Sequence, residues 1–251
     1  MDTLSAAQRD HAPIRAGHYF AARSEDRKPP STSRESRFIA LQPIYNSEGQ
    51  VFGYEALSRS SRSNRFAGDS RHATNGIITD WLLDGLGSLT AGKPVFLNCT
   101  REDLTGDLTG LLPLPIVIEV LESVQVDEWV VDACRRIRAF GHGIALDGFE
   151  LYGVQDDLLD LASYVKVDFQ LWGELQRQEI IARLRGTRVR LIAEKIETRE
   201  ELRSARDEGF QLFQGYYLSR PLLLSKGARR HRWLNHLRLR WHSRPRHSRL
   251  K

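Results

Sequence analysis

Residues 116–147 read IVIEVLESVQVDEWVVDACRRIRAFGHGIALD. A β-rich run over 116–121 gives way to an amphipathic helical stretch over 126–140, and a second β-rich run follows over 143–147. Strand, helix and strand in so short a span form the unit of a parallel sheet, because parallel neighbours need a crossover and the helix supplies it. Working outward, the same alternation runs from residue 38 to 224. It predicts strands over 38–44, 51–57, 94–98, 116–121, 143–147, 164–168, 188–194 and 211–214. Helices are expected over 74–86, 126–140, 155–161, 171–184 and 199–208, the last opened by Thr198 with Glu200 and Glu201 in its first turn. The turn Asn46-Ser47-Glu48-Gly49 is short enough for a hairpin between the first two strands. The expected fold class is therefore α/β, a modified (β/α)8 TIM-like barrel with one antiparallel strand.

The strand ends carry the chemistry. The apolar runs finish on or beside Glu55, Asn98, Glu119, Asp147, Lys166, Glu194 and Gln214, polar groups that a core does not select. In a (β/α)8 barrel the C-terminal strand ends form one rim, so seven residues far apart in sequence meet there. Carboxylates, an amide oxygen and an ammonium form a hard oxygen-donor set suited to Mg2+ or Mn2+ and unsuited to zinc. Without a cation the four acids repel, and some take up protons instead. Two such ions can activate water and clamp an in-line phosphoryl displacement.

These residues resemble a known family. Tyr54-Glu55-Ala56-Leu57-Ser58-Arg59, preceded by Gln42-Pro43-Ile44, is similar to the signature of the EAL-domain cyclic di-GMP phosphodiesterases of bacteria. Asn98, Glu119-Val-Leu-Glu122, Asp147, Lys166-Val-Asp168, Ala193-Glu194-Lys-Ile-Glu197-Thr198 and Gln214-Gly-Tyr-Tyr-Leu-Ser-Arg220-Pro221 follow in family order. Lys195, where the usual members have glycine, makes the chain most similar to the EAL half of EAL–HDOD proteins. The resemblance implies metal ligation by Glu55, Asn98, Glu119 and Asp147, with Glu194 serving a second ion. It also implies Lys166 as the residue that positions the attacking water, with Glu55 its catalytic partner. Arg59, Asp168 and Gln214 are the implied substrate contacts, the cofactor is Mg2+ or Mn2+, and the ligand is cyclic di-GMP.

Three features depart from the family pattern. Active members carry two consecutive acids where this chain has Asp147-Gly148-Phe149-Glu150, and Gly148 offers no ligand. Removing even an outer partner of a metal site costs about 10–100-fold in affinity, so one divalent site is expected and the second is doubtful. Glu150, Asp156 and Asp157 are the nearby acids that could fill the gap. The matched segment, 38–224, is also short for such a barrel, with the shortage mainly between Glu55 and Glu119. The chain ends in a basic tail where the most similar group carries an HDOD domain.

Composition limits the other readings. With 251 residues, 41% hydrophobic and 27% charged, the chain has room for a real core. It has no apolar run near the roughly 18 residues of a membrane span and no secretory apolar segment, so a cytoplasmic location is expected. Cys99 and Cys134 sit in apolar stretches and are expected to be buried thiols. Residues 226–251 hold ten Lys/Arg and no acid, whereas the remaining 225 carry 27 basic and 32 acidic side chains. The net +5 therefore belongs to the tail. Trp233, Leu234, Leu237 and Trp241 would form an apolar stripe on a helix there, which favours packing on the acidic body over contacts with nucleic acid or anionic lipid. His231, His236, His242 and His247 lack metal-site spacing.

The resulting division is a flexible leader over 1–37, an EAL-like barrel over 38–224 and a basic helix or tail over 225–251. The functional expectation is a degenerate EAL domain in cyclic di-GMP signalling, a nucleotide- and metal-binding or protein-interaction regulator with little hydrolysis. The alternatives are an active phosphodiesterase producing pGpG and a scaffold that binds no nucleotide. A protein partner and a homodimer are the expected assemblies.

Overall fold

The computed structural model describes residues 38–59, 90–106, 112 and 116–223. Among the described residues nine strands form one sheet: β1 (Phe38–Asn46), β2 (Val51–Arg59), β3 (Val95–Cys99), β4 (Ile116–Val120), β5 (Gly143–Leu146), β6 (Tyr164–Asp168), β7 (Arg190–Glu194), β8 (Leu212–Phe213) and β9 (Leu222–Leu223). From β2 to β8 each strand pairs in parallel with the next. β1 closes the barrel, running antiparallel to β2 along its length and to β8 at Tyr45 and Asn46. The hairpin turn between β1 and β2 has the expected chemistry: Asn46 Oδ1 accepts from the backbone N–H groups of Glu48 and Gln50. Eight expected strands are present, with ends shifted by up to two residues. β9, which the sequence reading missed, pairs with Ala40 and Leu41 beyond the part of β1 that β8 covers.

Among the described residues the α-helices are α1 (Arg101–Thr105), α2 (Glu128–Ala139), α3 (Glu174–Leu184) and α4 (Arg199–Glu208). α4 opens on the predicted Thr198, whose hydroxyl accepts from Glu201 N while the Glu201 carboxylate accepts from Thr198 N. Asp127 caps α2 by accepting from Val130 N. The helix expected over 155–161 is present as a 3-10 helix, Asp156–Leu161, and the β3–β4 connection contains a five-residue helix, α1, that the sequence reading did not include. The expected helix over 74–86, the leader over 1–37 and the basic tail lie outside the described residues.

Two packed layers follow from the period-two alternation of the strands. The outward faces meet the helices in the main core, which includes Ile118, Ile144, Val165, Ala193, Ile137 and Ile180. The inward faces form a smaller cluster of Ile44, Phe96, Val117, Ala145, Ile192 and Leu212. Phe52, Phe96 and Tyr164 plug the lower end, with ring centroids 5.1–6.4 Å apart and the Arg190 guanidinium 4.4 Å from the Phe52 centroid. Cys99 and Cys134 are buried, unbonded thiols. Above the inner cluster the period of two decides what faces inward: Phe96 is followed by Asn98, Val117 by Glu119, Ala145 by Asp147, Ile192 by Glu194 and Leu212 by Gln214. The site thus rests on an apolar floor.

Candidate active site

The rim surrounds a cavity of about 720 Å³ lined by residues of β1, β2, β3, β6 and β7 and of the segments after β4, β5 and β8, including Gln42, Glu55, Asn98, Asp147, Lys166, Asp168, Glu194 and Gln214. The centre is Lys166, which is 1% exposed. Its Nζ lies 2.8 Å from Asp147 Oδ1, 3.2 Å from Glu119 Oε1, 3.2 Å from Glu194 Oε2 and 3.8 Å from Glu55 Oε2. All four acids expected at the rim therefore converge on one ammonium. Burial by itself would lower the Lys166 pKa; the carboxylates, Asp147 foremost, overcome that and hold it well above the ordinary lysine range.

One positive charge does not balance four negative ones, and two of the acids, Glu119 and Glu194, respond by holding protons more tightly. Burial drives the Glu119 carboxyl well above its usual range, with Lys166 opposing and Glu55 and Asp147 adding to the rise. Burial likewise raises Glu194 to about 7, opposed by Lys166 and Lys195 and reinforced by Asp147 and Glu55. Glu119 is fully buried, and its Oε2 has no hydrogen-bond partner among the described residues. An oxygen-donor set with excess negative charge and an orphaned buried carboxylate oxygen fits a hard divalent cation. Among the described residues no three Asp, Glu, His or Cys side chains already form a ready-made cage, because the acids are gathered on the Lys166 ammonium.

Glu55 is the most firmly oriented acid. Asn98 Nδ2 donates to its Oε1 at 2.9 Å and Gln214 Nε2 to its Oε2 at 2.6 Å. Since Asn98 gives its N–H to Glu55, its carbonyl oxygen is the atom left for a ligand. Gln214 is set by the next residue: Gly215 lies so close to the loop after β7 that a Cβ there would be 2.1 Å from Ile196 O. Ile196 N donates to Gln214 O, which locks the two loops together. Asp147 is positioned by Gln155, whose Nε2 donates to Asp147 O and Val120 O. Sequence reading missed Gln155, because a glutamine ahead of two aspartates carries no local signal of burial. Gln42, 8% exposed and donating to Ser219 O, was noted only as part of a motif.

The other expected residues divide as follows. Asp168 is at the rim, but its Oδ1 accepts from Gln170 N and Leu171 N and its Oδ2 from Lys195 Nζ, so its acceptor sites are engaged by the protein itself. Arg59 ends β2, and its side chain lies outside the described residues. Gly148 lines the cavity at φ +58°, as does Glu150, whereas Asp156 and Asp157 are not among the residues lining it.

These charges set a pH dependence. Between 4.5, the ordinary glutamate value, and about 7, the folded chain holds a proton at Glu194 that the unfolded chain has released, so stability falls as pH rises through that window. Glu208 acts in the opposite direction, since hydrogen bonds from Arg177 and Ser204 outweigh its burial and hold it below the usual range, and its contribution disappears at more acidic pH. Urea titrations of the metal-free protein are expected to give maximal stability in mildly acidic solution, and excess Mn2+ is expected to flatten the decline toward neutrality. A metal-free stability that rises steadily from pH 5 to 7 would contradict the charge assignment.

Comparison with known proteins agrees with this geometry. The model of the EAL domain matches residues 94–221, just over half of the chain. The uncharacterized protein YuxH of Bacillus subtilis is 37% identical over 196 residues, which is 75% of this chain and 48% of YuxH. The cyclic di-GMP phosphodiesterase CdgJ of Vibrio cholerae is 31% identical over 206 residues, 80% of this chain and 48% of CdgJ. The chain spans about half the length of these relatives. The Bacillus subtilis YkuI protein, with an EAL domain and solved in complex with substrate cyclic di-GMP and calcium, superposes with a TM-score of 0.60 at 24% identity, covering 74% of this chain and 56% of that one. The shared fold, the ordered motifs on the strand ends and the matched model together establish that the chain belongs to the EAL domain family.

Proposed function

We propose that this chain is the nucleotide-binding EAL domain of a cyclic di-GMP signalling protein, that it binds cyclic di-GMP over the rim together with one divalent cation, and that it hydrolyses the nucleotide slowly or not at all. The observation that carries this reading is the pairing of an otherwise complete rim, four acids gathered on Lys166, with a glycine at position 148. A bound Mg2+ or Mn2+ would supply Lewis acidity toward a phosphate oxygen and make water a better nucleophile. Glu55, Asn98, Glu119 and Asp147 are the residues to hold that ion, with Glu55 oriented by the Asn98 and Gln214 amides. Lys166 holds a proton firmly and donates hydrogen bonds, so it orients water at the phosphorus and does not act as a base. In hydrolysis, the water oxygen bonds to phosphorus as the P–O3′ bond breaks, a proton from that water ends on O3′, and linear pGpG leaves. A second ion would lack the carboxylate that position 148 does not provide, and turnover suffers for that reason.

A second reading, an active phosphodiesterase, is favoured by the likeness to CdgJ, whose name states that activity. Hydrolysis assays with Mn2+ on this protein, its Gly148→Asp variant and CdgJ side by side separate the two. The variant is sterically demanding but accessible: aspartate tolerates the left-handed conformation at φ +58°, and the new Cβ lies 3.2 Å from Glu122 Cβ, so the backbone there must shift by a few tenths of an ångström. Expected is little pGpG from the unmodified chain and more from Gly148→Asp. Turnover by the unmodified chain equal to that of CdgJ would establish the second reading instead.

A further inference from the structure

Lys195 stands in a conformation that lysine does not favour. Its φ is +55°, in the left-handed region where a Cβ is crowded by the backbone, and such residues persist where the surroundings hold them in place. The surroundings here are specific. Gln170 Nε2 donates to the Lys195 carbonyl and also to Glu201, and Ile196, the next residue, is tied to Gln214 and Tyr217 through its backbone. Glycine would occupy the position without strain, yet the chain has a lysine whose ammonium reaches Asp168 Oδ2 at 2.5 Å. Asp168 is itself buried and fixed by two backbone N–H groups, so it anchors the ammonium and is not free to bind an ion.

The position of that ammonium matters because of what surrounds it. Lys195 lines the cavity together with Asp147, Gly148 and Glu194. Its side chain is 59% exposed, so solvent reaches it, and the ammonium has donors to spare beyond its bond to Asp168. Partial burial works against its charge, but the hydrogen bond to Asp168 and the nearby Glu194 raise its pKa, and it remains cationic. Lys166 is enclosed by four acids, whereas Lys195 is, among the described residues lining the cavity, the cation that solvent reaches.

We infer that Lys195 is a phosphate-binding residue of this site, its ammonium held by Asp168 at the rim so that one phosphodiester group of cyclic di-GMP meets a lysine in the same cavity where Gly148 provides no carboxylate for a second metal ion. This inference rests on the cyclic di-GMP reading above and extends it. The site would thereby bind nucleotide with one ion and one fixed ammonium, a combination suited to holding a phosphodiester and poor at activating water.

The test is calorimetric binding of cyclic di-GMP to the full chain in excess Mn2+, comparing the unmodified protein with Lys195→Gly and Lys195→Arg, together with the melting temperature of each. Expected is a loss of affinity of about tenfold or more in Lys195→Gly, the scale of one charge-assisted hydrogen bond, with a weaker salt dependence. Lys195→Gly should melt no lower than the unmodified chain, because it relieves the φ strain, and Lys195→Arg should retain most of the affinity. Equal affinity of Lys195→Gly and the unmodified protein would overturn the inference while leaving the cyclic di-GMP reading intact. Absence of cyclic di-GMP binding by the unmodified protein would overturn both. Loss of affinity in both variants alike would assign Lys195 a backbone role and overturn the phosphate contact.

Discussion

Lys166→Met is expected to destabilise the protein by roughly 3–5 kcal/mol at neutral pH, the scale for removing one partner of a buried ion cluster. The methionine fills the aliphatic volume, so the loss is one of charge. Four carboxylates, two of them, Glu119 and Glu194, already driven toward protonation by burial, would face one another without the ammonium that joins them. Acidification should restore much of the lost stability, because each carboxyl that takes up a proton removes one repulsion. Mn2+ should do the same by supplying positive charge. Equilibrium urea unfolding at pH 5 and pH 7, with and without Mn2+, reads all three effects. A variant as stable as the parent at pH 7 would mean that the acids do not depend on Lys166.

Gly215→Ala is expected to be nearly as damaging, for steric reasons alone. The added Cβ would lie 2.1 Å from Ile196 O and 2.3 Å from Ile196 N, so backbone and not a flexible side chain must move. Overpacking usually costs about 1–3 kcal/mol, and a clash with three backbone atoms of Ile196 belongs at or above the top of that range. The displacement has a functional side. Gln214 precedes Gly215 and holds Glu55 Oε2, so shifting the β8 loop should loosen Glu55 and weaken Mn2+ binding as well as lower the melting temperature. Wild-type stability in Gly215→Ala would show that the two loops do not approach this closely.

The fold was legible because the strands are short, β-rich and separated by long connections, and because each apolar run ends on a polar group at the same end. That repetition identified Glu55, Asn98, Glu119, Asp147, Lys166, Glu194 and Gln214, and the structure brings all seven to one rim. Elements lacking a periodic signal were read less well. β9 is two residues long and exists because β1 extends beyond β8; α1 is a single capped turn; and Asp156–Leu161 is too short to show its 3-10 geometry in sequence. Gln155 and Asp168 illustrate the further limit. Their roles depend on partners 35 and 27 residues away, Val120 and Lys195, and no local pattern encodes such pairings.

The rim combines two states that compete for the same oxygens: acids gathered on Lys166, as observed, and acids gathered on a cation. Both neutralise the ring, and the energetic cost of the first, protons held on Glu119 and Glu194, is what metal binding would relieve. The most direct measurement is calorimetric titration of the metal-free chain with Mn2+, followed by cyclic di-GMP, with Glu55→Ala in parallel. The expected result is one Mn2+ per chain, proton release on binding near neutral pH, nucleotide binding that requires the ion, and loss of both in Glu55→Ala. Two Mn2+ per chain with rapid formation of pGpG, or no binding of either ligand, would contradict a one-metal, nucleotide-binding EAL domain.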